Sequence, residues 1–197
     1  MTKGDQTRAR ILRHASRVAS RDGLEGLSIG ELASALEMSK SGLFAHFGSK
    51  EDLQVAVLRA ASADFEEKVV RPALQQPRGA PRLRALFELW LEWATTSDAD
   101  GCVFAAASFE LDDHPGPARD FLVEEEKRLL ALIARSARLG IESGVLRADL
   151  DCDLLAFQIH GLMLGFHHAW RLLRQRNARA MARQSFEQLL AQALPAR

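Results

Sequence analysis

Neither an excess of one charge nor a long apolar run marks this chain. Its 197 residues carry 26 basic and 26 acidic side chains, a formal net charge of zero. That balance speaks against indiscriminate coating of nucleic acid and leaves room for recognition by one small basic surface. No apolar stretch is long enough to span a bilayer and no signal peptide opens the chain, so a cytoplasmic protein with no membrane partner is expected. Cysteine is scarce: Cys102 and Cys152 lie far apart, without the paired spacing of a zinc site or a redox motif. They are expected to pack as small apolar residues in a reduced compartment. Strand patterns, internal repeats and low-complexity tracts are also missing. What is present is a globular composition, 47% hydrophobic and 26% charged, in a chain long enough for one generous domain or two small ones sharing an element.

The charges are unevenly placed. In the first fifty residues Lys3, Arg8, Arg10, Arg13, Arg17, Arg21, Lys40 and Lys50 outnumber Asp5, Asp22, Glu25, Glu31 and Glu37. A solvated helix face and a nucleic-acid surface explain this equally well. From Thr7 to about Asp22, Ile11, Leu12, Ala15, Val18 and Ala19 recur at helical spacing, with Gly23 as C-cap and Gly26 in a flexible connection. Ser28 and Glu31 form an S-x-x-E capping box for a helix from Ile29 to about Leu36. Ser39 caps a short segment from Lys40 to Phe47, and Gly48 and Ser49 end it and cap the next helix.

That next helix is expected from Lys50 to about Val70, broken near Pro72 and Pro77, where Gly79 and Pro81 also discourage regular structure. This is the clearest boundary: residues 1–50 read as one domain, 51–72 as a connecting helix and 73–197 as a second domain. Helices follow at Arg82 to Ser97, around Val103 to Leu111, Pro117 to about Ser143, Asp153 to about Arg176, and Ala178 to about Ala193. Turns separate them at 97–101, 112–117 and 144–151. The fold class is all-α, with about nine helices.

On the third helix Leu43 and Phe47 stand one turn apart and, with Met38, face inward, whereas Ser41, Gly42, Phe44 and Ala45 spread over the other side. A short helix with a bare outer face, preceded by a capped helix and a three-residue turn, suits the major groove, because bulk would hold the backbone away from the bases. A helical hairpin that only packs would not account for so bare a face.

These residues carry a resemblance. Ser28-Ile29-Gly30-Glu31-Leu32-Ala33 followed by Met38-Ser39-Lys40-Ser41-Gly42-Leu43-Phe44-Ala45-His46-Phe47-Gly48-Ser49-Lys50-Glu51-Asp52-Leu53 resembles the DNA-binding signature of TetR-family transcriptional regulators, over about the first quarter of the chain. The resemblance implies a three-helix head with a helix-turn-helix, plus a C-terminal helical domain for ligand binding and dimerisation. It implies that Lys40, Ser41, Gly42 and Ala45 lie along the major groove and that His46 and Lys50 meet phosphates. Lys50 and Ser28 stand at helix N-termini, which add to the attraction for an anion, and Ser39 and Phe44 border the same surface. Two positions depart from the family pattern. Phe44 replaces a tyrosine whose hydroxyl reaches a phosphate, in a chain without any tyrosine. Ala19 replaces a phenylalanine, so Leu24 or Leu27 is expected to fill the head's core.

Large apolar residues concentrate further on: Phe87, Trp90, Trp93, Phe104, Phe109, Phe121, Phe157, Met163, Phe166 and Trp170. Most are expected in the core. The resemblance implies a pocket for a small effector, and Trp90, Trp93, Phe104, Phe109, Phe121, His160, Met163 and His167 are its candidate lining. Gly161 and Gly165, four apart, permit close helix approach, within one subunit or, as the resemblance implies, in a homodimer built from the last two long helices. Metal binding by His160, His167 and His168 with Cys102 or Cys152 is disfavoured, since His168 points away from the other two. No cofactor is expected. The alternative of an all-helical enzyme rests on Glu110, Asp112, Asp113 and His114, which surround a Pro-Gly turn where acids serve as caps.

Overall fold

The computed structural model describes residues 2–96 and 101–195; of the turn expected at 97–101, residues 97–100 lie outside it. All regular structure among the described residues is helical. Nine helices run in order: α1 (Lys3–Asp22), α2 (Ile29–Ala35), α3 (Lys40–Phe47), α4 (residues 50–74), α5 (Ala80–Thr96), α6 (Val103–Glu110), α7 (Pro117–Glu142), α8 (Cys152–Arg171) and α9 (Ala178–Gln192). α1 starts earlier than its apolar pattern. Thr2 accepts from the Asp5 backbone N–H while the Asp5 carboxylate accepts from the Thr2 N–H, so two otherwise free donors are satisfied.

α4 does not stop at Pro72. It is α-helical over Lys50–Phe65, widens to a π-turn over Glu66–Val70 and closes with an α-turn over Arg71–Leu74. Proline lacks an N–H and its ring crowds the carbonyl four residues earlier. The wider turn directly before it relieves that crowding and lets the helix continue.

The chain gathers into two compact units that cut it differently from the expected 1–50, 51–72 and 73–197. One joins Met1–Asp64 to Thr96–Glu125, the other Phe65–Thr95 to Glu126–Arg197. The first unit has a continuous core. Ile11, Ala15 and Ala19 of α1, Leu32 of α2, Leu43 and Phe47 of α3, and Leu53 and Val57 of α4 pack with Val103, Ala107 and Leu122. Leu24 and Leu27 are fully buried in it beside Ala19, as the small side chain at that position requires.

In the second unit Phe87 stacks on Phe186 at 4.3 Å, Trp90 meets Phe166 edge-on at 5.7 Å and Trp93 meets Phe65 at 5.3 Å. Arg84 and Arg183 bind Glu187 and Glu88, tying α5 to α9. Gly79 and Gly140 approach so closely that a Cβ on Gly140 would stand 2.6 Å from the Gly79 Cα. Both cysteines are buried thiols outside any disulfide, and burial raises the Cys152 thiol pKa, which keeps it an inert apolar side chain.

Candidate nucleic-acid interface

α2, the turn after it and α3 form a helix-turn-helix whose ends are fixed locally. The Ser28 hydroxyl accepts from the Glu31 N–H at a long 3.4 Å, and only this half of the expected capping box forms. Ser39 accepts from the Gly42 N–H at 3.0 Å and caps α3. Gly48, at φ 75°, ends α3 in the left-handed region where glycine is favoured. Ser49 and Asp52 then cap α4, with the Ser49 hydroxyl donating to the Asp52 carboxylate at 2.7 Å and accepting from its N–H at 3.0 Å.

Leu43 and Phe47 anchor α3 in the core, and Met38 packs against it. Lys40, Ser41, Phe44 and Ala45 are exposed, Gly42 and His46 half-buried. A Cβ on Gly42 would meet only the Ser39 hydroxyl, at 3.0 Å, so the outer face at the start of α3 is as bare as a groove-reading surface requires. The Ser41 hydroxyl lies 3.2 Å from that of Ser39. The Lys40 stem crosses Gly30 of α2, where a Cβ would stand 3.1 Å from its Cε.

Two contacts of α1 lie beyond what periodicity could reveal. Arg8 lays its guanidinium over the Phe47 ring, 4.4 Å from the centroid, and donates to the His46 carbonyl. Arg10 donates to the Leu36 carbonyl at 3.4 Å. These arginines thus serve the ends of α2 and α3, where carbonyls lack helical partners. Lys50, expected at a phosphate, donates to the Glu25 carbonyl at 3.0 Å and lies 3.3 Å from the Glu25 carboxylate.

The effector candidates do not come together as one set. Phe104 and Phe121 pack against the core of the first unit, and Phe121 carries the Arg59 guanidinium 4.9 Å from its centroid. Phe109 is 68% exposed, because the inward side of α6 is set by Val103 and Ala107. Phe157, expected in the core, is 70% exposed, because α8 turns Leu155, Ile159, Met163 and Phe166 inward.

In the second unit Trp90, Trp93 and Met163 are buried, with His160 and His167 half-buried on the flank of the same α8 face. His160 Nε2 lies 2.8 Å from Glu126 Oε2, off the line of a hydrogen bond. Glu126 Oε2 and His167 Nε2 are both buried without a hydrogen-bond partner. Burial, with Arg171 and His168 close by, lowers the His167 pKa to about 4, so its ring is neutral at pH 7. Glu126 gave no signal in the sequence beyond one acid among several on α7. No group of three potential metal ligands converges among the described residues.

The acidic turn has a structural role. The Glu110 carboxylate accepts the Leu24 N–H at 2.7 Å, and the His114 ring meets the Glu110 carbonyl at 2.9 Å. Asp112 accepts the Asp113 N–H at 2.9 Å.

The chain matches two family models, that of the bacterial regulatory proteins of the tetR family over residues 11–57 and that of the tetracyclin repressor-like C-terminal domain over residues 79–186. The chain belongs to the TetR family. This TetR-family protein is a DNA-binding transcriptional regulator, and its family is non-enzymatic, binding operator DNA and small-molecule effectors. It is 25% identical over 149 residues to the HTH-type transcriptional repressor DhaR of Mycobacterium sp. (strain GP1), covering 76% of this chain and 74% of DhaR. A TetR regulator from Chloroflexus aurantiacus J-10-FL shares its fold at a TM-score of 0.86 and 23% identity, over 97% of this chain and 96% of that one. A protein from Saccharomonospora viridis, described as a transcriptional regulator and solved in complex with choline, matches at a TM-score of 0.85 and 27% identity, over 98% of this chain and all of that one (100%). No described helix of this TetR regulator is long and apolar enough to cross a membrane.

Proposed function

We propose that this TetR-family regulator is a cytoplasmic homodimeric repressor that binds a palindromic operator and is released by a small-molecule effector. The observation that carries the reading is the bare, capped face of α3. In this reading Lys40, Ser41, Gly42 and Ala45 face the bases, Phe44 borders them, and Ser28, Ser39, His46 and Lys50 flank the phosphates. Residues 1–50 serve as the reading head, 51–72 as the connecting helix and 73–197 as the effector and dimer domain.

Self-association is supported by an apolar stripe on α8 and just beyond it. Leu154, Phe157 and Leu172 are exposed in line with Gly161 and Gly165, where an added Cβ would meet nothing within 4 Å. Close packing within one subunit does not use these glycines, and a second copy would. The effector reading is supported by two buried polar atoms without a hydrogen-bond partner, Glu126 Oε2, which lies 2.8 Å from His160, and His167 Nε2, one helical turn from buried Met163. The choline complex of the S. viridis relative supports a small organic molecule, and Glu126 favours one carrying a donor or a positive charge.

Two heads would meet half-sites roughly 34 Å apart, one turn of duplex. Effector coupling of about 1–3 kcal/mol would lower operator affinity about 5–150-fold. The test is selection of genomic fragments bound by the purified protein. A shared two-fold-symmetric motif is expected, with Lys40→Ala or Ser41→Ala altering base preference within it. Fragments lacking any common palindrome would overturn the reading.

A further inference from the structure

Lys50 and Glu25 face each other at the edge of the proposed reading surface, and the acid is held there from several sides. The Lys50 ammonium lies 3.0 Å from the Glu25 carbonyl oxygen and 3.3 Å from its carboxylate Oε2. Gln54, buried on α4, donates to Glu25 Oε1 at 3.3 Å and to the Leu24 carbonyl at 3.1 Å. Glu110 accepts the backbone N–H of Leu24 at 2.7 Å and that of Glu25 at 3.4 Å. The loop that carries Glu25 is therefore pinned to α4 and α6. The Gln54 amide, with Lys50, keeps the Glu25 carboxyl below the usual carboxylate range, so it stays ionised wherever the protein works.

We propose that Glu25 is a built-in competitor for the operator phosphate, holding the Lys50 ammonium in the free protein and setting operator affinity below what the head could otherwise reach. The proposal rests on the reading of Lys50 as a phosphate ligand. A phosphate arriving at Lys50 meets an ionised carboxylate already there. Either the ammonium leaves Glu25, or carboxylate and phosphate share it and repel each other. Both side chains are well exposed, 41% for Lys50 and 67% for Glu25, and an exposed pair of this kind is weak enough to exchange partners. Tempered affinity suits a regulator that must let go, because coupling of limited size releases only a head that does not grip too tightly.

The test is a double-mutant cycle read by gel-shift titration on a genomic fragment recovered by selection and on a scrambled duplex, over a range of salt. Glu25→Gln keeps an oxygen for Gln54 and a carbonyl for Lys50 while removing the charge, and Glu25→Ala serves as a second variant should the first fold poorly. Loss of the charge is expected to tighten binding to both duplexes about three- to tenfold at low salt. It should also steepen the log K against log salt slope by up to about 0.9, as one more phosphate is neutralised. Lys50→Ala should cost about threefold in the parent and about tenfold once the acid is gone. Unchanged or weaker binding by the Glu25 variants overturns the proposal. So does equal tightening in the Lys50→Ala background, which would make Glu25 a distant charge rather than a competitor. If Lys50→Ala changes affinity in neither background, Lys50 meets no phosphate and that reading falls too, while the Lys40 and Ser41 substitutions still judge α3 on their own.

Discussion

The carboxylate of Glu110 accepts the N–H of Leu24 across 86 residues of chain, at a place where the backbone leaves α1 through Gly23. Gly23 holds φ at 82°, and a Cβ there would stand 1.5 Å from Glu110 Oε1, so the glycine is required both by its dihedral and by the carboxylate seated against it. Glu110→Ala strands the Leu24 N–H and is expected to destabilise the protein by about 1–2 kcal/mol in urea unfolding, with Glu110→Gln recovering part of the loss. His167 gives a different signature. Its ordinary pKa is 6.5 and its folded value about 4, so between those values the unfolded chain binds the proton and the folded one does not. Its contribution is complete above about pH 6.5 and is lost as pH falls toward about 4. The expected loss, about 1–2 kcal/mol for a ring that is partly exposed, should lower the parent's thermal midpoint over that range and be absent from His167→Gln.

Among the elements, α3 is held by α1 as well as by its own caps and anchors. Arg8 covers the Phe47 ring and binds the His46 carbonyl, closing the last turn of the reading helix from outside. Arg8→Ala is expected to cost about 1 kcal/mol and to speed amide exchange at the end of α3, and Arg8→Lys should not restore protection, because only the planar guanidinium can stack and donate at once. The caps at Ser39 and Ser49, half of the box at Ser28, the stops at Gly23 and Gly48 and the inward pair Leu43 and Phe47 were legible in the sequence, since each acts within a few residues of itself, whereas the Thr2–Asp5 box before the apolar pattern of α1 was not. The arginine contacts, the Glu25–Lys50 pair and the placement of Glu126 beside His160 were not, because they join residues far apart in the chain. Proline was misleading for a local reason. Pro72 reads as a stop, and the π-turn of Glu66–Val70 that carries the helix past it has no pattern of its own. Phe109 and Phe157 misled in the opposite sense, as aromatic bulk reads as core until the inward face of the helix is known.

For the whole molecule, the two compact units each draw on two separated stretches of chain, so neither corresponds to a simple N-terminal or C-terminal piece. α4 and α7 each run from one unit into the other. The exposed stripe of Leu154, Phe157 and Leu172 is expected to be covered by a second copy. Phe157→Asp should convert a dimer to monomer in sedimentation velocity, weaken operator binding through loss of the paired head, and lower the thermal midpoint, since association stabilises only the folded chain. A parent protein that sediments as a monomer at micromolar concentration would contradict this. The aromatic residues divide unevenly between the units. Trp90, Trp93 and Trp170 are the three tryptophans of the chain, all belong to the unit that carries Glu126 and His167, and there is no tyrosine. The unit that carries the proposed reading face is therefore dark above the phenylalanine band, and all tryptophan emission comes from the other. An operator that touches only the dark unit can change that emission only by altering residues it never meets, so unlabelled DNA added to the unmodified protein is a direct optical reading of how far the operator is felt at the tryptophans beside the proposed effector residues.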